Sequence, residues 1–158
     1  MMKNLLAKGA VVAAFLLFSH ISSFAHCEIP CGIYDDEARF KLLAEDITTV
    51  EKSINQIVEL SAAGDKNYNQ LVRWINNKEL HADKLMETVT RYFMTQRVIP
   101  VEPADAAGYA DYTKKVTLLH QMLVEAMKCK QTTDLAHTEK LRQLLAEFQE
   151  LYNAGHGH

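Results

Sequence analysis

The chain has 158 residues, a formal net charge of −3 at pH 7 and 48% apolar side chains. That length supports one domain with a real hydrophobic core, and the mild acidity argues against a nucleic-acid partner. Its three cysteines, Cys27, Cys31 and Cys129, are an odd count at spacings that do not form a disulfide framework.

Residues 1–25 read as a cleaved secretory signal. Lys3 and Lys8 give a positive start, and Gly9 to Phe18 is an apolar run too short to span a bilayer comfortably. Ser23-Phe24-Ala25 then places small residues where signal peptidase cuts. The expected product begins at His26, carries a charge of −5 once Lys3 and Lys8 are gone, and is exported to a periplasmic or extracellular compartment. No later run is long and apolar enough to cross a membrane, so no stable membrane association is expected after cleavage.

The segment 26–34, His-Cys-Glu-Ile-Pro-Cys-Gly-Ile-Tyr, follows the expected cut. Residues 35–158 read as one all-α domain, an up-down-up-down four-helix bundle preceded by that segment. The first helix is expected from Asp36 to about Ala63, with Phe40, Leu43, Ile47, Val50, Ile54, Ile57 and Val58 as its apolar stripe. Asp35, Asp36 and Glu37 put acids at its positive end. Ala63-Gly64-Asp65 breaks it.

A second helix is expected from about Asn67 to Gln96, with Leu71, Val72, Ile75, Leu85, Val89, Tyr92 and Phe93 inward. Pro100 and Pro103 punctuate the next connection. The third runs from about Ala106 to Lys130 and carries Tyr109, Tyr112, Val116, Leu119, Leu123 and Met127. Thr132-Thr133-Asp134 is a turn with a cap. The fourth, about Leu135 to Tyr152, carries Leu141, Leu144, Leu145, Phe148 and Leu151.

The chemistry concentrates at the expected new terminus. Pro30 and Gly32 favour a tight turn over a helix, closing Cys27 onto Cys31. Cleavage before His26 would add a free α-amine and an imidazole. The Cys27 backbone amide lies between that amine and the Cys27 thiolate, so the three form fused chelate rings. Nitrogen and sulfur donors in a plane suit Ni(II) or Cu(II), whereas zinc prefers a tetrahedron. Taken by themselves, these residues leave a metal site and an oxidised cysteine pair both open.

The pattern His26-Cys27-x-x-Pro30-Cys31-Gly32-x-Tyr34 resembles the metal-binding hook of the nickel-containing superoxide dismutases. Weaker echoes are Asp35-Asp36, the stretch from Val72 to Ala82 with Lys78, Glu79 and His81, and Tyr92-Phe93-x-Thr95-Gln96-Arg97. The resemblance covers the hook and the first two helices well, and the last two mainly by pattern. It implies a four-helix bundle and one nickel ion per chain, held by the His26 amine, the Cys27 amide and the Cys27 and Cys31 thiolates. The His26 imidazole would be an axial ligand in the oxidised state. The implied reaction is disproportionation of superoxide, the small-molecule substrate, to dioxygen and hydrogen peroxide through Ni(II)/Ni(III) cycling.

The resemblance also makes Tyr34 a gate at the vacant face of the metal, Tyr92 a second tyrosine beside it, and the assembly a homohexamer. One departure is Met94, where some members carry a lysine, which puts lysine-based attraction of superoxide at that position in doubt. Another is the export signal, which replaces the short leader that many members remove with a dedicated protease. The alternative function is an exported nickel or copper carrier without turnover. A helical thiol–disulfide protein ranks lower, because three residues rather than two separate Cys27 and Cys31.

Among the remaining polar residues, His81 and His120 read as satisfied or surface histidines, with His81 a candidate support for the site. Cys129 reads as a lone thiol near a helix end. Lys78, Arg91 and Arg97 read as surface charge able to steer an anion. His156 and His158 read as a frayed tail.

Overall fold

The computed structural model describes residues 36–154. The expected signal (1–25), the hook (26–34, with His26, Cys27, Cys31 and Tyr34) and the tail histidines lie outside the described residues. Four helices account for most of the rest, with no strand among the described residues. Helix α1 spans Asp36–Ala62, α2 Tyr68–Glu87, α3 Ala106–Gln131 and α4 Ala136–Ala154. Helix α2 continues without a break as a π-helical stretch over Thr88–Arg97.

The ends are set by local chemistry. Asp36 and Glu37 sit in the first turn of α1. Gly64 stops that helix with φ at 82°, a left-handed conformation that costs glycine little, and a single 3-10 turn at Asp65–Asn67 leads into α2. Asp105 caps α3 by accepting from the Gly108 amide at 3.0 Å. The turn before α4 is closed by Asp134, whose carboxylate accepts from the Ala136 amide at 2.9 Å.

Cross-helix pairs show that neighbours run antiparallel. The start of α1 meets the end of α2 at Asp36–Arg97, and its later part meets the first half of α2 at Ser53–Asn77. Helix α4 lies against α1 through Tyr152–Asp36 and Arg142–Glu51, and against α3 through His137–Glu125 and Lys114–Glu147. The ring closes on one core that includes Leu43, Ile47, Ile54, Leu85, Val89, Leu119, Met122, Leu144 and Phe148. At the end where α1 begins, Phe40, Phe93, Phe148 and Tyr152 form an aromatic cluster with centroids 4.9–5.8 Å apart.

Several expected core positions turn out otherwise. Val58 is 53% exposed, Val72 54%, Tyr109 41% and Met127 42%, and Ile75 is also exposed. The buried face of α2 keeps the expected Leu85 and Val89 and adds Lys78 and Ala82. On α3 it is set by Lys115, Leu118, Leu119, Met122, Ala126 and Cys129. On α2 and α3 two lysines, Lys78 and Lys115, occupy core-facing positions.

Lys78 is 5% exposed, and its ammonium donates to the carbonyls of Cys129 at 2.8 Å, Lys130 at 2.6 Å and Thr132 at 3.4 Å. A cation there satisfies the C-terminal end of α3, where carbonyls lack intrahelical partners. Lys115 bonds Asp111 at 2.7 Å and lies 5.9 Å from the Tyr152 ring centre. Cys129 is fully buried, and burial first of all pushes its thiol up to about 11.

Candidate metal centre and its surroundings

The described chain begins at Asp36, two residues after Tyr34, so the surroundings of Asp36 show where the expected metal-binding segment joins the bundle. The Asp36 carboxylate lies in a hydrogen-bond network drawn from three helical segments. Tyr92 donates its hydroxyl to Oδ1. Tyr152 donates to Oδ2 at 2.7 Å, and the Arg97 Nη2 donates to the same oxygen at 2.5 Å. The Arg97 Nε donates in turn to the Tyr152 hydroxyl oxygen at 3.0 Å. Three of the four side chains come from helix ends: the start of α1, the end of the π-helical stretch and the end of α4.

The electrostatics follow from burial and these partners. Burial by itself would raise the Asp36 carboxyl, but the hydrogen bonds from Tyr92, Tyr152 and Arg97 outweigh it and hold the carboxyl below its ordinary 3.8. Burial, then the anionic Asp36, push Tyr92 up to about 12, and Tyr152 likewise to about 12. Burial works against the charge on Arg97, and the bonds to Asp36 and Tyr152 more than restore it. Both phenols therefore stay protonated at neutral pH, each with its proton directed at one carboxylate.

A groove of about 810 Å³ opens beside this network, lined by Arg39, Asp46, His81, Lys84, Arg91 and Tyr92 among others. The Arg39 guanidinium lies 4.9 Å from the Tyr92 ring centre, within cation–π range. His81 Nδ1 meets Asp46 Oδ1 at 2.7 Å, which fixes the imidazole on the groove wall. Arg91 pairs with Glu87 at 3.0 Å. Among the described residues no group of three or more His, Cys, Asp or Glu side chains is placed to hold a metal ion.

Of the site residues expected from the sequence, Tyr92 is brought to the head of α1, 6% exposed, and the other four lie outside the described residues. Of the three expected surface charges Arg91 is exposed, and the reading is corrected for the other two. Lys78 is a buried helix cap and Arg97 is committed to Asp36 and Tyr152. Sequence reasoning missed Tyr152 as a partner of Asp36. Its signal was available, since a tyrosine four residues after the core Phe148 needs a hydroxyl partner inside the fold. Asp36 was read as a helix-start acid and a weak echo of the family pattern, and it proves to be the hub of the network.

The family model described as nickel-containing superoxide dismutase matches residues 21–155, a span holding the 26–34 segment and all four helices. No curated protein and no solved structure matches the chain.

Proposed function

The chain belongs to the nickel-containing superoxide dismutases, and from that premise we propose that its nickel is held by His26, Cys27 and Cys31 at a processed N-terminus. Membership makes the protein an oxidoreductase with a nickel cofactor and superoxide as its substrate, which favours a dismutase over a carrier without turnover. The observation that carries the ligand reading is that the matched span runs through His26–Tyr34 as well as the bundle.

The donor set fits the metal: an amine, a backbone amide and two thiolates are the nitrogen and sulfur ligands that Ni(II) favours in a plane. When bound, nickel supplies the one-electron couple between Ni(II) and Ni(III) by which one superoxide is oxidised to dioxygen and a second, with two protons, is reduced to hydrogen peroxide. The chain's own residues prepare the setting. The His26 imidazole would supply a further donor, and Tyr34 would stand beside the ion. Tyr92, held by Asp36, supplies a neutral phenol at the foot of the segment.

Export belongs to the same proposal, because removal of residues 1–25 would create the α-amine of His26. A homohexamer is the assembly we propose. The support on this chain is a stripe of exposed apolar side chains, Tyr68 (64%), Val72 (54%) and Ile75 (37%), at helical spacing on α2. The test is intact mass, metal content and superoxide turnover on protein from its native exported fraction. A mass beginning at His26, one nickel per chain and rapid turnover are expected. Zinc or a Cys27–Cys31 disulfide in place of nickel would contradict the reading.

A further inference from the structure

We infer that Tyr152 and Arg97 are positioning residues, acting through Asp36 to fix both Tyr92 and the point where the metal-binding segment enters the bundle. This rests on the reading of residues 26–34 as that segment. The geometry is specific. Asp36 is the first residue of α1, and its carboxylate receives one hydroxyl from the end of α2, one hydroxyl from the end of α4 and one guanidinium N–H. Helix α1 is thereby tied at its first residue to both of its neighbours in the ring.

The π-helical stretch makes this arrangement possible. Tyr92 and Arg97 are five residues apart. In an α-helix of 3.6 residues per turn they would point in directions about 140° apart and could not share a partner. A π-helix bonds each residue to the fifth one on, which stacks them on one face. The backbone pattern is visible in Val98 N donating to Phe93 O at 2.9 Å, and the Thr95 and Gln96 side chains also donate to carbonyls five residues back. Both Tyr92 and Arg97 then reach Asp36. π-Turns inside helices occur frequently at functional sites, and this one has an identifiable product.

A chemical consequence follows for Tyr92. Its proton is directed at Asp36 Oδ1, so its hydroxyl is committed as a donor and has no proton to offer elsewhere. Arg97 matters through shape as well as charge, because one guanidinium bridges the carboxylate and the Tyr152 oxygen at once. A lysine at the same place could reach one or the other.

The test uses the chain beginning at His26, metal-free and nickel-loaded, with variants Tyr152→Phe, Arg97→Lys and Asp36→Asn. In the metal-free protein, deuterium exchange of the first bonded amides of α1, Phe40 to Leu42, should speed up about tenfold in Tyr152→Phe and equally in Arg97→Lys. Amides in the middle of α1, from Leu43 to Ile57, should exchange as in the parent. The phenolate absorbance of Tyr92 should titrate below about 12 in Asp36→Asn, and nickel affinity should fall about tenfold in all three variants. Exchange of Phe40 to Leu42 unchanged in Tyr152→Phe, or raised equally across the whole of α1, would overturn the inference. So would an Arg97→Lys protein indistinguishable from the parent, since charge alone would then suffice. The exchange and titration results need no metal, so a parent chain that binds no nickel would sink the ligand reading while leaving this one to stand or fall by itself.

Discussion

Asp36 concentrates more interactions than any residue the hydropathy pattern would single out. Its carboxyl is held below its ordinary value, so its contribution to stability is complete above about pH 3.8 and is lost as pH falls through the lower folded value. Tyr92 and Tyr152 work in the opposite direction. Their folded values are raised to about 12 from 10, so their contribution is complete below pH 10 and disappears as pH rises to about 12. Thermal melts should therefore show a loss of stability between pH 10 and 12 that is smaller in Tyr152→Phe than in the parent. An equal loss in both would show that these phenols do not govern the alkaline limb. At the other end of the bundle Lys78 invites a separate test. Replacing it by methionine keeps the stem but leaves the last carbonyls of α3 without their cation, and denaturant unfolding should show a loss of about 2–3 kcal/mol.

At the scale of elements, much was legible and the errors have a common cause. Helix α1 was readable at both ends, because acids mark its start and Gly64 its stop, and all but one of its expected stripe residues are buried. The turn at Asp134 was readable for the same kind of local reason. The phase of α2 was not. Its first half carries apolar residues outward at Tyr68, Val72 and Ile75 while a lysine points inward, and a pattern method assigns those faces the other way round. The π-helical stretch was invisible because its spacing of five breaks the periodicity by which helices are recognised. The faces of α2 make a prediction: Leu85→Ala, at a position expected and found inward, should cost about 2–5 kcal/mol. Ile75→Ser, on the exposed face, should stay within about 0.5 kcal/mol in the isolated chain. Similar costs for both would contradict the assigned faces.

At the scale of the whole molecule, the proposed reading makes the bundle the foundation for the metal-binding segment that precedes α1. The aromatic cluster of Phe40, Phe93, Phe148 and Tyr152 lies at the end where α1 begins. The expected ligands could be proposed from the sequence because they fall within six residues and follow a cleavage pattern, and they lie outside the described residues. Their supports were not, because Tyr92, Arg97 and Tyr152 converge on Asp36 only after four helices have closed. The exposed stripe on α2 belongs to this scale as well. If it is an assembly surface, Val72→Glu with Ile75→Glu should reduce the sedimentation coefficient of the native protein, and an unchanged coefficient would place the interface elsewhere.

The central claim is that nickel binds through the free amine of His26. The most direct measurement is nickel bound per chain in two proteins, one beginning at His26 and one with a single alanine placed before it, their helical circular dichroism being the same. The account predicts one nickel per chain in the first and a nearly complete loss in the second, because the added peptide bond removes the amine and displaces the imidazole from the chelate. Equal nickel content in both would contradict it.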